Sequence, residues 1–371
     1  MIKMSLLPIS ACIIARNEEN NIEMCLKSIS PYVQECIVVD CCSDDSTASI
    51  AASLGAVVAE YKWSDNFSEA RNFAIAKATQ KFIFVIDADE LFINDSLGDL
   101  EEYCALSSYQ AGRIFVHNLT GNGENYTVSE ITRLFPNNYG YHYVGRIHEQ
   151  LRINGEVPES ISTKVTLDHR GYLTDVMNSK KKIERNINLL LLELDINGEN
   201  PYYLYQLART YYVSKDYPKA NEVFSKLFSK VRKDDFDFLS TAYLQYGYSL
   251  LYSKNYRLLE QLLLYAIEMY PDYTDLYFLK GLGIVYQGDI SKLGQVKSLF
   301  EKCLDLGNPN TGKYETVYGV GSFKAHYNLG IYYELVGDKF NAIKHYSNAC
   351  ASGNEPKACD RLNLMSGGKE I

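Results

Sequence analysis

The 371-residue sequence predicts two unlike halves: an α/β domain built on a parallel sheet, then an all-α domain of helical repeats. Three observations predict it. Apolar, β-branched runs alternate with helical segments through residue 87. From about residue 178 the apolar spacing is helical throughout. Within that second half, an aromatic, small, aromatic pattern recurs. The halves are drawn as residues 1–175 and 176–371.

In the first half, Ile9-Ser10-Ala11-Cys12-Ile13-Ile14-Ala15 reads as a strand, and Ile22, Leu26 and Ile29 follow at helical spacing. Glu35-Cys36-Ile37-Val38-Val39-Asp40 is a second strand ending in an acid. Asp44 to Thr47 supply capping residues for the next helix. Ala56 to Ala59 is a third strand, Phe67 to Ala78 a helix and Lys81 to Asp87 a fourth strand. Unbroken apolar runs suit strands buried on both faces, and ligands of such sheets sit at the strands' carboxyl ends, where Asp40 and Asp87 fall. From about residue 107 to 170, glycine, asparagine and short runs such as Gly112 to Val116 predict mixed strands.

In the second half, Lys180 to Asp195 carries Ile183, Ile187, Leu190, Leu191 and Leu194. Tyr205 to Tyr211 with Ala220 and Phe224, and Tyr327 to Tyr333 with Ala342 and Tyr346, match the tetratricopeptide pattern. Tyr246-Gly247-Tyr248 and Gly281 to Tyr286 are weaker copies, with Ala208, Gly247, Gly283 and Gly330 taken as the small residues. One repeat cannot bury its own face, so several must stack.

Composition narrows the function. A net charge of -9 argues against nucleic acid as a partner. The first apolar run reaches Arg16 too soon for a signal peptide, and no apolar stretch of about 20 residues could span a bilayer. A cytoplasmic chain without stable membrane insertion is expected. The nine cysteines contain no C-x-x-C and are read as reduced, mostly buried thiols.

The chemistry centres on Ile86-Asp87-Ala88-Asp89-Glu90, an acid-x-acid directly after a strand. A nucleoside diphosphate is densely negative, and a hard cation held by carboxylate oxygens neutralises it. Arg16-Asn17-Glu18 and Asp40 converge on the same sheet edge. Arg71 suits a phosphate by its planar fork, or equally a structural ion pair. His148-Glu149 follows a glycine turn at Gly145-Arg146-Ile147, and Glu149 is placed to take a proton from an acceptor. His169 follows a strand-like run and is a candidate ligand of the same cation.

Together Ile14-Ala15-Arg16-Asn17-Glu18, Val39-Asp40-x-x-Ser43-x-Asp45-x-Thr47, Phe67-Ser68-x-Ala70-Arg71-Asn72, Asp87-x-Asp89 and Gly145-x-Ile147-His148-Glu149 resemble family 2 glycosyltransferases of the GT-A fold, over roughly residues 8 to 172. With the helical repeats, the chain also resembles bacterial peptide S- and O-glycosyltransferases of bacteriocin precursors. The resemblance implies a nucleotide-sugar site of Ala15, Asn17, Asp40, Arg71, Asp87 and Ala88, with Asp40 on the uracil and Asp87 on the ribose or metal. It implies a Mg2+ or Mn2+ ion on Asp89 and His169, Glu149 as base, and Arg146 and His148 on the acceptor side. The implied reaction moves a hexose, glucose foremost, from a UDP-sugar to a Cys, Ser or Thr side chain with inversion. Asp40-Cys41 departs from the Asp-Ser pair of many relatives. The tyrosine-rich half could grip the acceptor peptide or form a homodimer. Two other readings are a transferase acting on a lipopolysaccharide or cell-surface glycan and a non-catalytic repeat scaffold.

Overall fold

The computed structural model describes residues 6–106, 110–120, 125–169, 176–232, 236–310, 313–352 and 355–365. The chain forms two compact units, residues 1–196 and 197–371. Residues 170–172, the end of the family-like stretch, lie outside the described residues.

The first unit runs β1 (Leu7–Ala15), α1 (Ile22–Ile29), β2 (Val33–Asp40), α2 (Thr47–Ser53), β3 (Val57–Glu60), α3 (Phe67–Lys77), β4 (Phe82–Asp87), β5 (Glu90–Phe92) and α4 (Leu97–Ala105). It continues through β6 (Ala111–Thr120), β7 (Asn125–Pro136), β8 (His142–Val144), β9 (Gln150–Arg152), β10 (Ser160–His169) and α5 (Val176–Asn197). An eight-stranded sheet has the order β3-β2-β1-β4-β7-β6-β10-β5. β1 to β4 pair in parallel, whereas β7 runs antiparallel to β4.

The apolar runs do what doubly covered strands require. Along β4, Phe82, Phe84 and Ile86 join one core, while Ile83 and Val85 join the core on the other face. Ile9, Ala11 and Ile13 of β1 side with the first core and Cys12 with the second. Burying each large apolar side chain contributes about 1.5–3 kcal/mol.

α5 belongs to this first unit, which ends at Ile196 and not at the expected residue 175. Leu189 and Leu190 are buried, and the buried Glu193 carboxylate accepts the backbone N–H of Arg146. The Glu193 hydrogen bond ties the helix to the sheet domain.

The second unit is helical: α6 (Pro201–Val213), α7 (Tyr217–Phe228), α8 (Leu239–Tyr252), α9 (Tyr256–Met269), α10 (Thr274–Gln287), α11 (Leu293–Leu306), α12 (Phe323–Leu335), α13 (Lys339–Cys350) and α14 (Pro356–Met365). α6 packs on α7, α8 on α9, α10 on α11 and α12 on α13. Asn200, Asp216 and Asp338 cap α6, α7 and α13 by accepting backbone N–H groups. The small residues sit where helices approach most closely. A Cβ on Gly330 would lie 2.5 Å from the Tyr346 ring, and one on Gly247 would lie 2.6 Å from Leu279.

Two expectations need correction. The small residue of the third repeat is Gly281, whose missing Cβ makes room for Phe300 of its own hairpin; Gly283 faces Leu259 instead. The cysteines are not all reduced, because Cys350 and Cys359 form a disulfide between α13 and α14. Their apposition depends on how the last two helices fold back, which a search for C-x-x-C does not detect.

Candidate active site

The base end of the site is built by β1 and β2. Ala15 and Asp40 are register partners, and the Cys41 N–H donates to the Ala15 carbonyl at 2.8 Å. Asn17 takes a left-handed backbone (φ 57°), uncommon for a non-glycine residue. The turn is held by its neighbours: the Asn17 N–H donates to Ser43 Oγ at 2.9 Å, and Asn17 Oδ1 accepts the Asp44 N–H at 2.8 Å. Asp40 is buried. Its Oδ2 accepts the Ser43 N–H at 3.1 Å, while its buried Oδ1 has no partner. Burial, and then the charge of Asp40, push the Cys41 thiol up to about 11, which keeps it unreactive.

Asp87, at the end of β4, lies between two arginines. Arg71 Nη2 donates to Oδ1 at 2.7 Å, and Arg133 Nη2 donates to Oδ2 at 2.9 Å. Burial alone would neutralise this carboxyl, but the two guanidinium groups hold it well below the ordinary carboxylate range. Arg71 also donates from Nε to Glu149 Oε1 at 2.5 Å, so one buried side chain joins the acid-x-acid turn to Glu149. Glu90 accepts the Asp87 N–H at 2.7 Å and lies 3.9 Å from Arg133. Burial, and then the charge of Asp87, raise its carboxyl above the usual range. Arg71 Nη1, Arg133 Nη1 and the Tyr143 hydroxyl are buried without a hydrogen-bond partner. Such atoms are costly unless a ligand or water completes them.

Ala88 is buried, and the chain turns there into β5. β5 pairs antiparallel with β10, making Glu90 and His169 register partners. His169 Nε2 lies 3.3 Å from Asp89 Oδ2. Burial works against the charged ring, but the hydrogen bond and charge of Asp89 outweigh it and raise the His169 pKa. No third His, Cys, Asp or Glu completes a cation cage among the described residues. Mg2+ usually takes one or two carboxylates, with substrate phosphates and waters filling its shell. A carboxylate and an imidazole at this spacing therefore fit a cation that arrives with a diphosphate.

The turn after β8 carries the acceptor-side candidates. Gly145 has φ 95° and His148 φ 51°. Asn72 fixes Tyr143 by two hydrogen bonds, Ser68 Oγ donates to the Gly145 carbonyl, and the Phe67 N–H donates to the Arg146 carbonyl at 2.8 Å. The start of α3 is thus laced to the turn that leads to Glu149. The Arg146 guanidinium is directed at the carbonyls of Ser64 and Asp65, at 3.5 and 3.3 Å, and braces a neighbouring loop.

Sequence reasoning missed Arg133, Glu90 and Tyr143. The available signal for Arg133 was a lone charge beside the buried pair Leu134-Phe135.

Residues 10–153 match the sequence profile of Glycosyl transferase family 2. The match lies within the first unit. The chain is 29% identical over 228 residues to the SPbeta prophage-derived glycosyltransferase SunS of Bacillus subtilis (strain 168), covering 61% of this chain and 54% of that one. It is 36% identical over 141 residues to a TPR repeat-containing protein of Synechococcus elongatus, covering 38% of this chain and 34% of the relative. The chain thus spans about half the length of SunS, and less of the second relative. Among solved structures it is similar to MamA from Desulfovibrio magneticus RS-1, with 22% identity, a TM-score of 0.38, and coverage of 47% of this chain and 86% of that one.

Proposed function

We propose that this chain is an inverting glycosyltransferase that moves a hexose from UDP-glucose to a Cys, Ser or Thr side chain of a bacteriocin-type precursor peptide. The observation that carries the reading is the Arg71 bridge, which holds Asp87 on the donor side and Glu149 on the acceptor side of one guanidinium. The resemblance to SunS supports the peptide acceptor, and the match to family 2 supports the transferase chemistry.

In this reading the buried Oδ1 of Asp40 accepts an N–H of the uracil, and the Asn17 turn backs the ribose. Asp89 and His169 would hold a Mg2+ or Mn2+ ion, which supplies positive charge beside the diphosphate. Arg71 pins one oxygen of Glu149, leaving the other to face the acceptor. Glu149 takes the acceptor's S–H or O–H proton as sulfur or oxygen bonds to the sugar's C1. The bond from C1 to the diphosphate oxygen breaks with its electron pair leaving on UDP. A single displacement of this kind inverts C1 and needs no covalent sugar on the enzyme.

The test is release of UDP from UDP-glucose and from UDP-N-acetylglucosamine with Mn2+, with Mg2+ and with EDTA, for wild type beside Asp89→Ala, with UDP binding read in the same samples. Metal-dependent release lost in Asp89→Ala supports the reading. Neither release nor UDP binding would sink it and favour the repeat scaffold.

A further inference from the structure

The loop that carries Glu149 is short and conformationally demanding. Val144 and Gln150 are register partners of the β8–β9 pair, so Gly145 to Glu149 make the whole connection between the two strands. Two of these residues are left-handed, Gly145 at φ 95° and His148 at φ 51°. Glycine adopts that conformation freely, whereas a histidine keeps it only where the surroundings over-determine it. Such a loop holds one shape only if its peptide groups are gripped from outside.

The peptide between Gly145 and Arg146 is gripped at both ends. Its carbonyl accepts from Ser68 Oγ of α3, and its N–H donates to Glu193 Oε1 of α5. The next carbonyl, that of Arg146, accepts the Phe67 N–H at 2.8 Å. A planar peptide fixed at its oxygen and at its nitrogen cannot rotate without breaking one of the two bonds. Glu193 stands one turn beyond the buried Leu189, on the inward face of α5, and is itself 3% exposed. Burying a carboxylate is costly unless hydrogen bonds compensate it, and a charged acceptor makes the stronger bond. α5 lies outside residues 10–153, so this grip comes from a helix beyond the family match.

We propose that Glu193 is a positioning residue for Glu149: it fixes the Gly145–Arg146 peptide, and thereby the loop in which Glu149 meets Arg71. This rests on the reading of Glu149 as the base. Without the carboxylate, the Arg146 N–H loses this acceptor, and Gly145 permits the peptide to turn. Glu149 follows three residues later and would leave Arg71 Nε, to which it is bonded in the fixed loop. A general base works only within hydrogen-bond reach of its proton, so a small displacement of Glu149 slows the reaction strongly. Glu193 thus acts through Glu149, and the donor nucleotide is untouched by its loss.

The test compares wild type with Glu193→Ala, Glu193→Gln and Glu193→Asp, the last drawing the carboxylate back by one methylene should the alanine variant not fold. Amide hydrogen exchange is followed over residues 142–152 and over β1 to β4, and UDP affinity in Mg2+ by calorimetry. Turnover is UDP release from UDP-glucose, with water standing in for the acceptor. Stability is read from urea unfolding by the fluorescence of Trp63, the chain's single tryptophan, which packs edge-on against Phe67 at 4.8 Å. Glu193→Ala and Glu193→Asp are expected to speed exchange over 142–152 and to slow turnover, each by about tenfold or more, with UDP affinity and exchange in β1 to β4 unchanged. Glu193→Gln, which keeps an acceptor, should recover most of both. In a Glu149→Gln background, Glu193→Ala should slow the residual turnover no further. Wild-type exchange over 142–152 in Glu193→Ala and Glu193→Asp would overturn the proposal. So would faster exchange throughout β1 to β4, or a parallel loss of UDP affinity, since Glu193 would then only support the fold. An additive loss in the Glu149→Gln background would show that Glu193 does not act through the base. If wild type neither binds nor releases UDP, the transferase reading fails, and the grip on the loop stands or falls on the exchange alone.

Discussion

Replacing Arg133 by methionine keeps most of the side-chain volume and removes the charge. Arg133 is only slightly exposed, with Asp87 at 2.9 Å and Glu90 at 3.9 Å, and among the described residues Arg71 is left as the one cation paired with Asp87. Removing one partner of a buried pair costs about 3–5 kcal/mol. Because Arg71 still holds Asp87 Oδ1, the lower end, about 3 kcal/mol, is expected. The sign with pH follows from both acids. Asp87 has a depressed pKa, so its contribution is present above the unfolded value, about 3.9, and is lost only as pH falls through its low folded value. Glu90 has a raised pKa, so its contribution is full below about 4.3 and declines as pH rises through its folded value. Loss of Arg133 weakens the ionised Asp87 and raises Glu90 further. The penalty should therefore grow as pH rises past about 7, where wild-type Glu90 ionises and that of the variant does not. Urea unfolding followed through Trp63 measures it. A cycle of Arg133→Met, Asp87→Asn and the double variant isolates the pair. A coupling energy below about 0.5 kcal/mol, or a penalty that shrinks as pH rises, would refute the account.

Glu149→Gln keeps a side-chain oxygen for Arg71 Nε but removes the base, so turnover should fall about 100- to 10,000-fold while UDP binding is retained. Near-normal turnover would remove Glu149 from that role. Gly330→Ala puts a methyl 2.5 Å from the Tyr346 ring and should cost about 1–3 kcal/mol. Gly294→Ala, in α11 with nothing within 4 Å, should instead stabilise by about 0.4–1 kcal/mol. Thermal unfolding at the helical circular-dichroism band tests the contrast. Reduction of Cys350–Cys359 opens a short loop and should destabilise the second unit by about 2–3 kcal/mol. A Cys350→Ser, Cys359→Ser variant should then unfold identically with and without reductant.

What was legible in the sequence was local. β1, β2 and β4 were readable because both faces of each are covered, leaving unbroken apolar runs. The repeats were readable because Gly247 and Gly330 occupy approaches with no room for a Cβ, and Ala208 is fully buried. The third repeat was misassigned because Gly281 and Gly283 stand two residues apart, and only packing on Phe300 or Leu259 separates them. The partners of Asp87 were not local. Arg133 arrives on β7, whose antiparallel pairing sets Leu134 beside Phe84, a register no spacing in the chain announces. Glu90 was in plain view in the acid-rich turn, but its burial depends on β5 being pinned against β10.

That non-local part bears on how the two acids of Asp87-Ala88-Asp89 divide their work. Each oxygen of Asp87 already accepts from a guanidinium, so a cation there would compete with Arg71 or Arg133. Displacing Arg71 would also release Glu149, and displacing Arg133 would leave Glu90 beside an added charge. Asp89 carries no such obligation: among the described residues, its Oδ2 meets the imidazole of His169. On this geometry the first acid is the fixed anion that orders Arg71, and through it Glu149, while the second is the carboxylate left for the metal. Asp87→Asn should then lower turnover with little change in Mn2+ affinity, and Asp89→Asn should lower Mn2+ affinity and metal-dependent turnover together. Loss of Mn2+ affinity in Asp87→Asn, measured by electron paramagnetic resonance titration, would show that the division is wrong.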